Sequence, residues 1–139
     1  MGYRSEVTYA IEFKDLETKR KFVALRKLNP RFSEVLGECF EVDSDLLNII
    51  FEHRYIKWDE GYEDVRNHMN MLREIEDEQL EGVAAKFVRI GEEADDVDEI
   101  IYQGDQDNNP YGEEIQIEAE VVSRIIDNLP RSNQIVTTS

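Results

Sequence analysis

Cysteine is almost absent from the sequence: Cys39 is the only one among 139 residues. A single cysteine excludes an internal disulfide and cannot by itself form a zinc site, and such sparse use is typical of proteins from a reducing compartment. We therefore expect Cys39 to be a small, partly buried residue rather than a catalytic thiol.

The sequence also lacks a long apolar run. No stretch approaches the roughly 18 to 20 apolar residues that span a bilayer, and the chain does not open with a basic region followed by an apolar segment. These two absences predict a protein of the cytoplasm of the cell that makes it, with no membrane partner.

Basic residues are scarce in the second half of the chain. Residues 1–57 hold ten Lys and Arg against ten Asp and Glu, whereas residues 58–139 hold six against twenty-two, which accounts for the whole net charge of −16. A field of this sign repels nucleic acid, anionic membranes and phosphate-rich substrates. The charge map therefore predicts a basic partner and argues against direct binding of nucleic acid.

The residues that are present support a folded core. Hydrophobic residues make up 40% of the chain, and 6 Phe, 6 Tyr and 1 Trp are available to anchor the interior of one domain. We expect a single acidic domain over residues 1–130. Residues 131–139 show no apolar periodicity and are expected to be a flexible tail that is dispensable for folding.

The first part of the chain predicts a strand and two helices. Apolar residues alternate with polar ones over 5–13, which is typical of a half-buried strand. Asp15 is placed to cap a helix over 16–28, and Asn29-Pro30 to start a short helix that ends near Gly37. The helical period of 16–28 assigns its apolar side chains to the inside and its cations to the outside. The inside set is Phe22, Val23 and Leu25, and the outside set is Lys19, Arg20, Lys21, Arg26 and Lys27.

The rest of the chain predicts one further helix and several strands. Aromatic and β-branched residues favour a strand from about residue 49 to 58, with an initial helical turn at 44–48 left open. A helix is predicted over 61–77, opened by Asp59 or Glu60. Strands over 82–90 and 97–103, joined by an acidic turn, predict an antiparallel hairpin. A loop at 105–112 and a strand passing into a short helix over 113–128 complete the order.

This order predicts an α+β fold. One mostly antiparallel sheet with two main helices packed on one face is the natural packing for it, and a ferredoxin-like topology is one instance.

No metal site or cofactor is expected. His53 and His68 lie fifteen residues apart, without the local spacing of a zinc-binding pair, although folding could still bring them together. The loop from Asp105 resembles the start of a calcium loop, but Pro110 stands where the sharp-turning glycine is needed and Gln116 where the bidentate glutamate is needed.

The acidic run at 92–99 contains six carboxylates but no adjacent histidine, serine or lysine that would mark an acid–base or nucleophilic site. No nucleophile elbow and no glycine-rich phosphate loop occurs elsewhere in the sequence. The sequence therefore favours a protein that is not an enzyme. Because no cation is adjacent to them in the run, the carboxylates are expected to repel one another, and neutralising them is expected to preserve or raise stability.

Aromatic and basic residues suggest a second part of the surface. Tyr3 and Arg4 at the start, Tyr55, Lys57 and Trp58 near a strand end, and Arg89 before the acidic turn could meet if their strands share a sheet. Trp, Tyr and Arg often dominate interfaces. The alternative is that Trp58 is a core residue flanked by cations.

Three motifs carry a family resemblance. They are Gly-Tyr-Arg-Ser-Glu-Val at 2–7, Ile-Lys-Trp at 56–58, and Arg-Ile-Gly-Glu-Glu at 89–93 followed by Asp95 and Asp96. In these the chain resembles a group of short phage and prophage proteins of unassigned activity. The resemblance implies a viral or mobile-element origin and supplies no catalytic residues.

The resulting hypothesis is a non-enzymatic acidic protein, encoded by a phage, that engages a basic surface of a host protein. A host-defence factor or a protein that otherwise holds nucleic acid would present such a surface. The predicted binding residues are Glu92, Glu93, Asp95, Asp96, Asp98, Glu99, Tyr3, Arg4 and Trp58. The alternatives are a small metal-dependent hydrolase with an acidic site near residues 92–107 and a structural accessory protein that forms homo-oligomers.

Overall fold

The computed structural model describes residues 3–93 and 95–104, which contain four strands and three helices. The strands are β1 (Ser5–Phe13), β2 (Asn48–Ile56), β3 (Val83–Ile90) and β4 (Val97–Gln103), and the helices are α1 (Leu16–Lys27), α2 (Pro30–Gly37) and α3 (Glu63–Asp77). None of these helices combines the length and the apolar character needed to cross a membrane. The loop predicted at 105–112, the strand and helix predicted at 113–128 and the tail predicted at 131–139 lie outside the described residues.

The four strands form one open sheet in the order β2-β1-β3-β4, and each neighbouring pair is antiparallel. The predicted α+β class and the predicted hairpin of β3 and β4 are confirmed. The order of elements is β-α-α-β-α-β-β, which differs from the β-α-β-β-α-β order of ferredoxin-like folds.

Local capping explains where the first two helices begin. The Asp15 carboxylate accepts a hydrogen bond of 2.8 Å from the Thr18 N–H, and the Asn29 side chain accepts one of 3.0 Å from the Arg31 N–H. Both predicted caps are therefore confirmed.

The predicted cap of α3 is wrong. The capping position is Tyr62, whose side chain makes no capping hydrogen bond. The Asp59 carboxylate instead accepts a hydrogen bond of 2.7 Å from the Gly61 N–H, and Glu60 pairs with Arg73 at 2.9 Å. A short aspartate side chain that bonds the backbone two residues ahead favours a turn before the helix, and this competing interaction displaces the helix start.

The two faces of the sheet differ in what covers them. One face packs against the helices and forms the main core, to which all four odd-numbered residues from Val7 to Phe13 belong. A second, small cluster on the other face consists, among the described residues, of strand residues only: Ala10, Ala84 and Val88, with Ile50 and Ile90 against them. The described helices thus lie on one side of the sheet, as predicted.

Three residues of α1 lie on the opposite side from the one predicted. Leu25 is exposed, whereas Lys19 and Arg26 are buried. The Lys19 ammonium donates hydrogen bonds to the backbone carbonyls of residues 41, 44 and 46, and the Arg26 guanidinium lies 4.5 Å from the centre of the Phe22 ring and 3.2 Å from the Glu74 carboxylate. A charged side chain can be buried when such partners replace water, and the helical period alone does not reveal them.

Candidate partner-binding site

Pairing of β1 with β3 brings the start of the chain to the acidic turn. Glu6 lies opposite Ile90, and Ile90 lies opposite Val97 on β4. Tyr3 and Arg4 therefore lie beside the turn that joins β3 to β4, although about 90 residues separate them in sequence. We call the described residues 91–93 and 95–99 the acidic turn.

The Tyr3 hydroxyl connects the start of the chain to this turn. It donates a hydrogen bond of 2.6 Å to the Asp96 carboxylate and accepts one of 3.1 Å from the Glu93 N–H. The hydrogen bond to Asp96 raises the pKa of Tyr3 above its ordinary value. The Tyr3 side chain therefore connects Glu93 and Asp96 across the turn, and its hydroxyl is protonated at neutral pH.

Arg89 is the cation of the acidic turn. Its guanidinium contacts both oxygens of Asp96, binds Asp98 at 2.8 Å and donates to the Ser5 hydroxyl at 3.0 Å. The hydrogen bonds from Arg89, and then from Tyr3, lower the pKa of Asp96. The expectation that the carboxylates of this run lack a neutralising cation is wrong for Asp96 and Asp98, because their cation comes from the adjacent strand rather than from the run.

Gly91 permits the close approach of these groups. A Cβ atom at this position would overlap the Asp96 carboxylate and the Tyr3 hydroxyl. Its N–H also donates a 2.7 Å hydrogen bond to the backbone carbonyl of Asp96 and closes the turn. The glycine of the Arg-Ile-Gly-Glu motif is therefore required by packing at this point.

Arg4 forms the other flank of the site. Its backbone N–H donates a hydrogen bond to the Glu92 carboxylate, and its guanidinium lies 5.1 Å from the centre of the Tyr55 ring. A cation over an aromatic face is stabilising by about 0.5–1 kcal/mol at a partly exposed site. The predicted meeting of the first residues with Tyr55 and Arg89 is thus observed.

Trp58 does not share this surface. It is half-buried against the main core, and its ring lies 5.5 to 5.9 Å from the rings of His68, Phe51 and Phe87. The structure agrees with the alternative interpretation, in which Trp58 is a core residue.

The six carboxylates of the site divide into two groups. Asp96 and Asp98 are bound by Arg89, and Glu99 pairs with Lys86 at 3.3 Å. Glu92, Glu93 and Asp95 are exposed and have no ion-pair partner among the described residues. The first group fixes the turn. The second leaves its charge without a cation among these residues, although Glu92 also accepts a hydrogen bond from the Arg4 N–H.

The sequence did not predict a buried series of hydrogen bonds that runs through His68 of α3. The Tyr9 hydroxyl lies 2.6 Å from His68 Nδ1, and His68 Nε2 lies 2.6 Å from the Glu38 carboxylate. Burial lowers the pKa of His68, opposed by its contact with Glu38, so the imidazole is neutral, accepting from Tyr9 and donating to Glu38. His68 is 59 positions from Tyr9 and 30 positions from Glu38 in the sequence. No local motif indicates that these three side chains meet.

The Cys39 thiol is partly buried and hydrogen-bonded in the described part of the chain. The Cys39 thiol lies 3.3 Å from the Val35 carbonyl and 3.6 Å from the Tyr9 hydroxyl, and burial raises its pKa to about 12. A thiol with this pKa is a poor nucleophile at neutral pH. Within residues 3–93 and 95–104, no three His, Cys, Asp or Glu side chains are grouped so that they could hold a metal ion. The calcium-like loop at 105–116 is outside these ranges.

Comparison with known proteins adds no assignment. No family model, curated protein or solved structure matches the chain. The resemblance to short phage proteins stays a prediction from three motifs. Residues 3–7 of the first motif and residues 89–93 of the third meet in the site.

Proposed function

We propose that the protein is a non-enzymatic binding protein whose acidic turn engages a basic surface of another protein. One observation carries this proposal: Tyr3 and Arg89 fix the turn in place, while Glu92, Glu93 and Asp95 stay exposed without an ion-pair partner among the described residues.

Rigidity of the turn supports binding rather than mere solubility. Ordering a flexible loop on association costs free energy, and a loop that is already held by several hydrogen bonds avoids most of that cost. The three exposed carboxylates would then meet a partner from a turn that is already held in place. Opposed charges across an interface speed association and select the partner.

The motif resemblance directs the proposal to a host protein as the partner, with the chain encoded by a phage. The amount of charge suits a host surface that otherwise holds nucleic acid. Duplex DNA carries one charge per about 1.7 Å, so a length of about 35–40 Å, the width of a domain this size, carries roughly 20 charges. The second half of the chain has twenty-two acidic residues.

Parallel capture experiments test this function. Tagged wild-type protein and two variants would be used as bait in extract of the native host, and captured proteins would be quantified. The turn variant carries Glu92→Gln, Glu93→Gln and Asp95→Asn, which leave the contacts of Asp96 intact. The control variant makes the same charge change on exposed residues of the three helices, with Glu17→Gln, Glu34→Gln and Asp77→Asn.

We expect a basic protein that is enriched by the wild type and the control variant and reduced about tenfold with the turn variant. Equal enrichment by both variants would contradict the proposal, because total charge rather than the turn would then determine capture. Enrichment of acidic proteins or of none would contradict it as well.

A further inference from the structure

The two edges of the sheet are protected differently. On β2 the chain itself covers part of the edge, because Phe40 and Ile50 exchange two backbone hydrogen bonds of 2.7 and 3.1 Å. On β4, no strand of the described residues pairs with the outer edge, and Val97 to Ile100 are exposed. An unpaired edge offers donors and acceptors to another strand.

The register shows which backbone groups of β4 face outward. Gly104 donates a hydrogen bond of 3.0 Å to the Val83 carbonyl, and the pairing continues with Gln103 opposite Ala84. In an antiparallel pair, residues that bond the neighbouring strand alternate with residues that do not. Residues 98, 100 and 102 therefore bond to β3, whereas 97, 99 and 101 present their N–H and carbonyl groups to the outside.

A side-chain contact agrees with this alternation. Gln103 occupies the same set of alternate positions on β4 as residues 99 and 101. Its N–H donates to the Glu76 carboxylate at 3.3 Å. Three outward-facing positions therefore extend from Gln103 toward the acidic turn: Ile101, Glu99 and Val97.

We propose that this edge of β4 binds an extended, basic segment of the partner as a fifth strand. The proposal rests on the proposed function and specifies its mode. Backbone hydrogen bonds to 97, 99 and 101 would supply affinity, and the exposed carboxylate of Asp95 beside the strand matches a Lys or Arg side chain. Asp98 and Glu99 add negative charge along the edge, because their side chains stay 55% and 61% exposed in their pairs with Arg89 and Lys86. Val97 and Ile100, which are 43% and 37% exposed, offer apolar contacts beside them.

The test uses two ten-residue peptides of equal charge. One alternates lysine with threonine, and the other alternates lysine with proline, which lacks the N–H groups needed to add a strand. Amide hydrogen exchange of the full chain would be followed residue by residue with each peptide. We expect the threonine peptide to slow exchange about tenfold at residues 97, 99 and 101, and the proline peptide to leave these amides unchanged.

A variant checks the same geometry from the protein side. Ile101→Pro removes an outward N–H but no hydrogen bond to β3, and proline is tolerated on edge strands. It should weaken binding of the threonine peptide about tenfold, whereas Ile101→Val should not. The two-peptide comparison decides the question even where the proline variant does not fold.

Three results would overturn strand addition. Equal binding of both peptides without amide protection would overturn strand addition, because charge alone would then explain the binding. The proposed function would remain intact. Slow amide exchange at 97, 99 and 101 before any peptide is added would mean that this chain or a second copy already pairs with the edge. Protection that rises with protein concentration would identify the second copy. Binding of neither peptide would also overturn it, and the capture experiment would still test the proposed function separately.

Discussion

Asp96 makes more contacts than any other carboxylate of the acidic turn, since it binds Arg89 through both oxygens and accepts from Tyr3. We predict that Asp96→Asn lowers the thermal unfolding midpoint at pH 7, because it removes the charge that holds both partners. The matched change Asp95→Asn, at an exposed residue without an ion pair among the described residues, should leave the midpoint within a degree or so. Calorimetry of the two variants would show this, and equal midpoints would contradict it. Neutralisation is therefore still expected to preserve stability at Asp95, whereas the contacts of Asp96 predict a loss at that position.

The Asp96 contribution should depend on pH in one direction. Its pKa is lower in the folded protein than in the unfolded chain, so the stabilisation is fully present above the unfolded value of about 4 and is lost as pH falls through the folded value. The difference in stability between wild type and Asp96→Asn should therefore be constant near neutrality and shrink below about pH 4. Urea unfolding at a series of pH values measures it, and a difference that grows toward acid would contradict the assignment.

His68 should contribute to the pH dependence of stability below its unfolded pKa of about 6.5. Because burial lowers its pKa, the unfolded chain binds a proton more readily than the folded protein, so stability is fully present above about pH 6.5 and falls below it. His68→Gln should flatten this slope and lower stability at pH 7 by about 1–3 kcal/mol, since Tyr9 and Glu38 lose a buried partner. His53→Gln, on an exposed part of β2, is the control. The same flattening in both variants would show that the slope has another source.

At the level of elements, one buried lysine holds the segment between α2 and β2. The Lys19 ammonium donates to the carbonyls of Glu41, Ser44 and Leu46, all within 2.9 Å. We predict that Lys19→Met destabilises the protein by about 3 kcal/mol, because these carbonyls lose their donor. Lys21→Met, two residues further along α1 and in an exposed pair with Glu17, should change stability by less than about 0.5 kcal/mol. Denaturant unfolding of both variants measures these changes. Similar losses of stability in the two variants would contradict the role assigned to Lys19.

Local patterns were sufficient to predict the positions of β1, α1 and α2. The alternation over 5–13 predicts β1 with its observed bounds, and Asp15 and Asn29-Pro30 predict the starts of α1 and α2. Partners distant in sequence were not predictable in this way. Lys19 is buried because three carbonyls from a later segment surround it, and helical periodicity assigns any lysine to the solvent.

The candidate site was predicted in part for the same reason. The residues of the acidic turn and Tyr3, Arg4 and Arg89 were singled out from charge, aromatic character and motif. Their meeting follows from the register of β1 on β3, which no local pattern specifies. The division of the carboxylates into a group bound by Arg89 or Lys86 and an exposed group requires the folded arrangement.

For the whole molecule, the structure changes how the net charge of −16 is interpreted. Much of the charge in the described region is paired, as with Arg26 against Glu74 and Glu78, and Arg73 against Glu60. The net charge therefore indicates the sign of a partner's surface but not where that partner binds. The exposed carboxylates that the turn holds in place are the more specific feature.

We propose that Glu92, Glu93 and Asp95 determine binding to a basic partner. This proposal is tested most directly by the association rate constant of the captured partner, measured at several salt concentrations with the wild type, the turn variant and the helix control variant. We predict that the turn variant associates about tenfold more slowly at low salt and shows a flatter dependence on salt, while the control variant keeps the wild-type rate and slope within about a factor of two. A turn variant whose rate and slope equal those of the wild type would show that these carboxylates only solvate the turn.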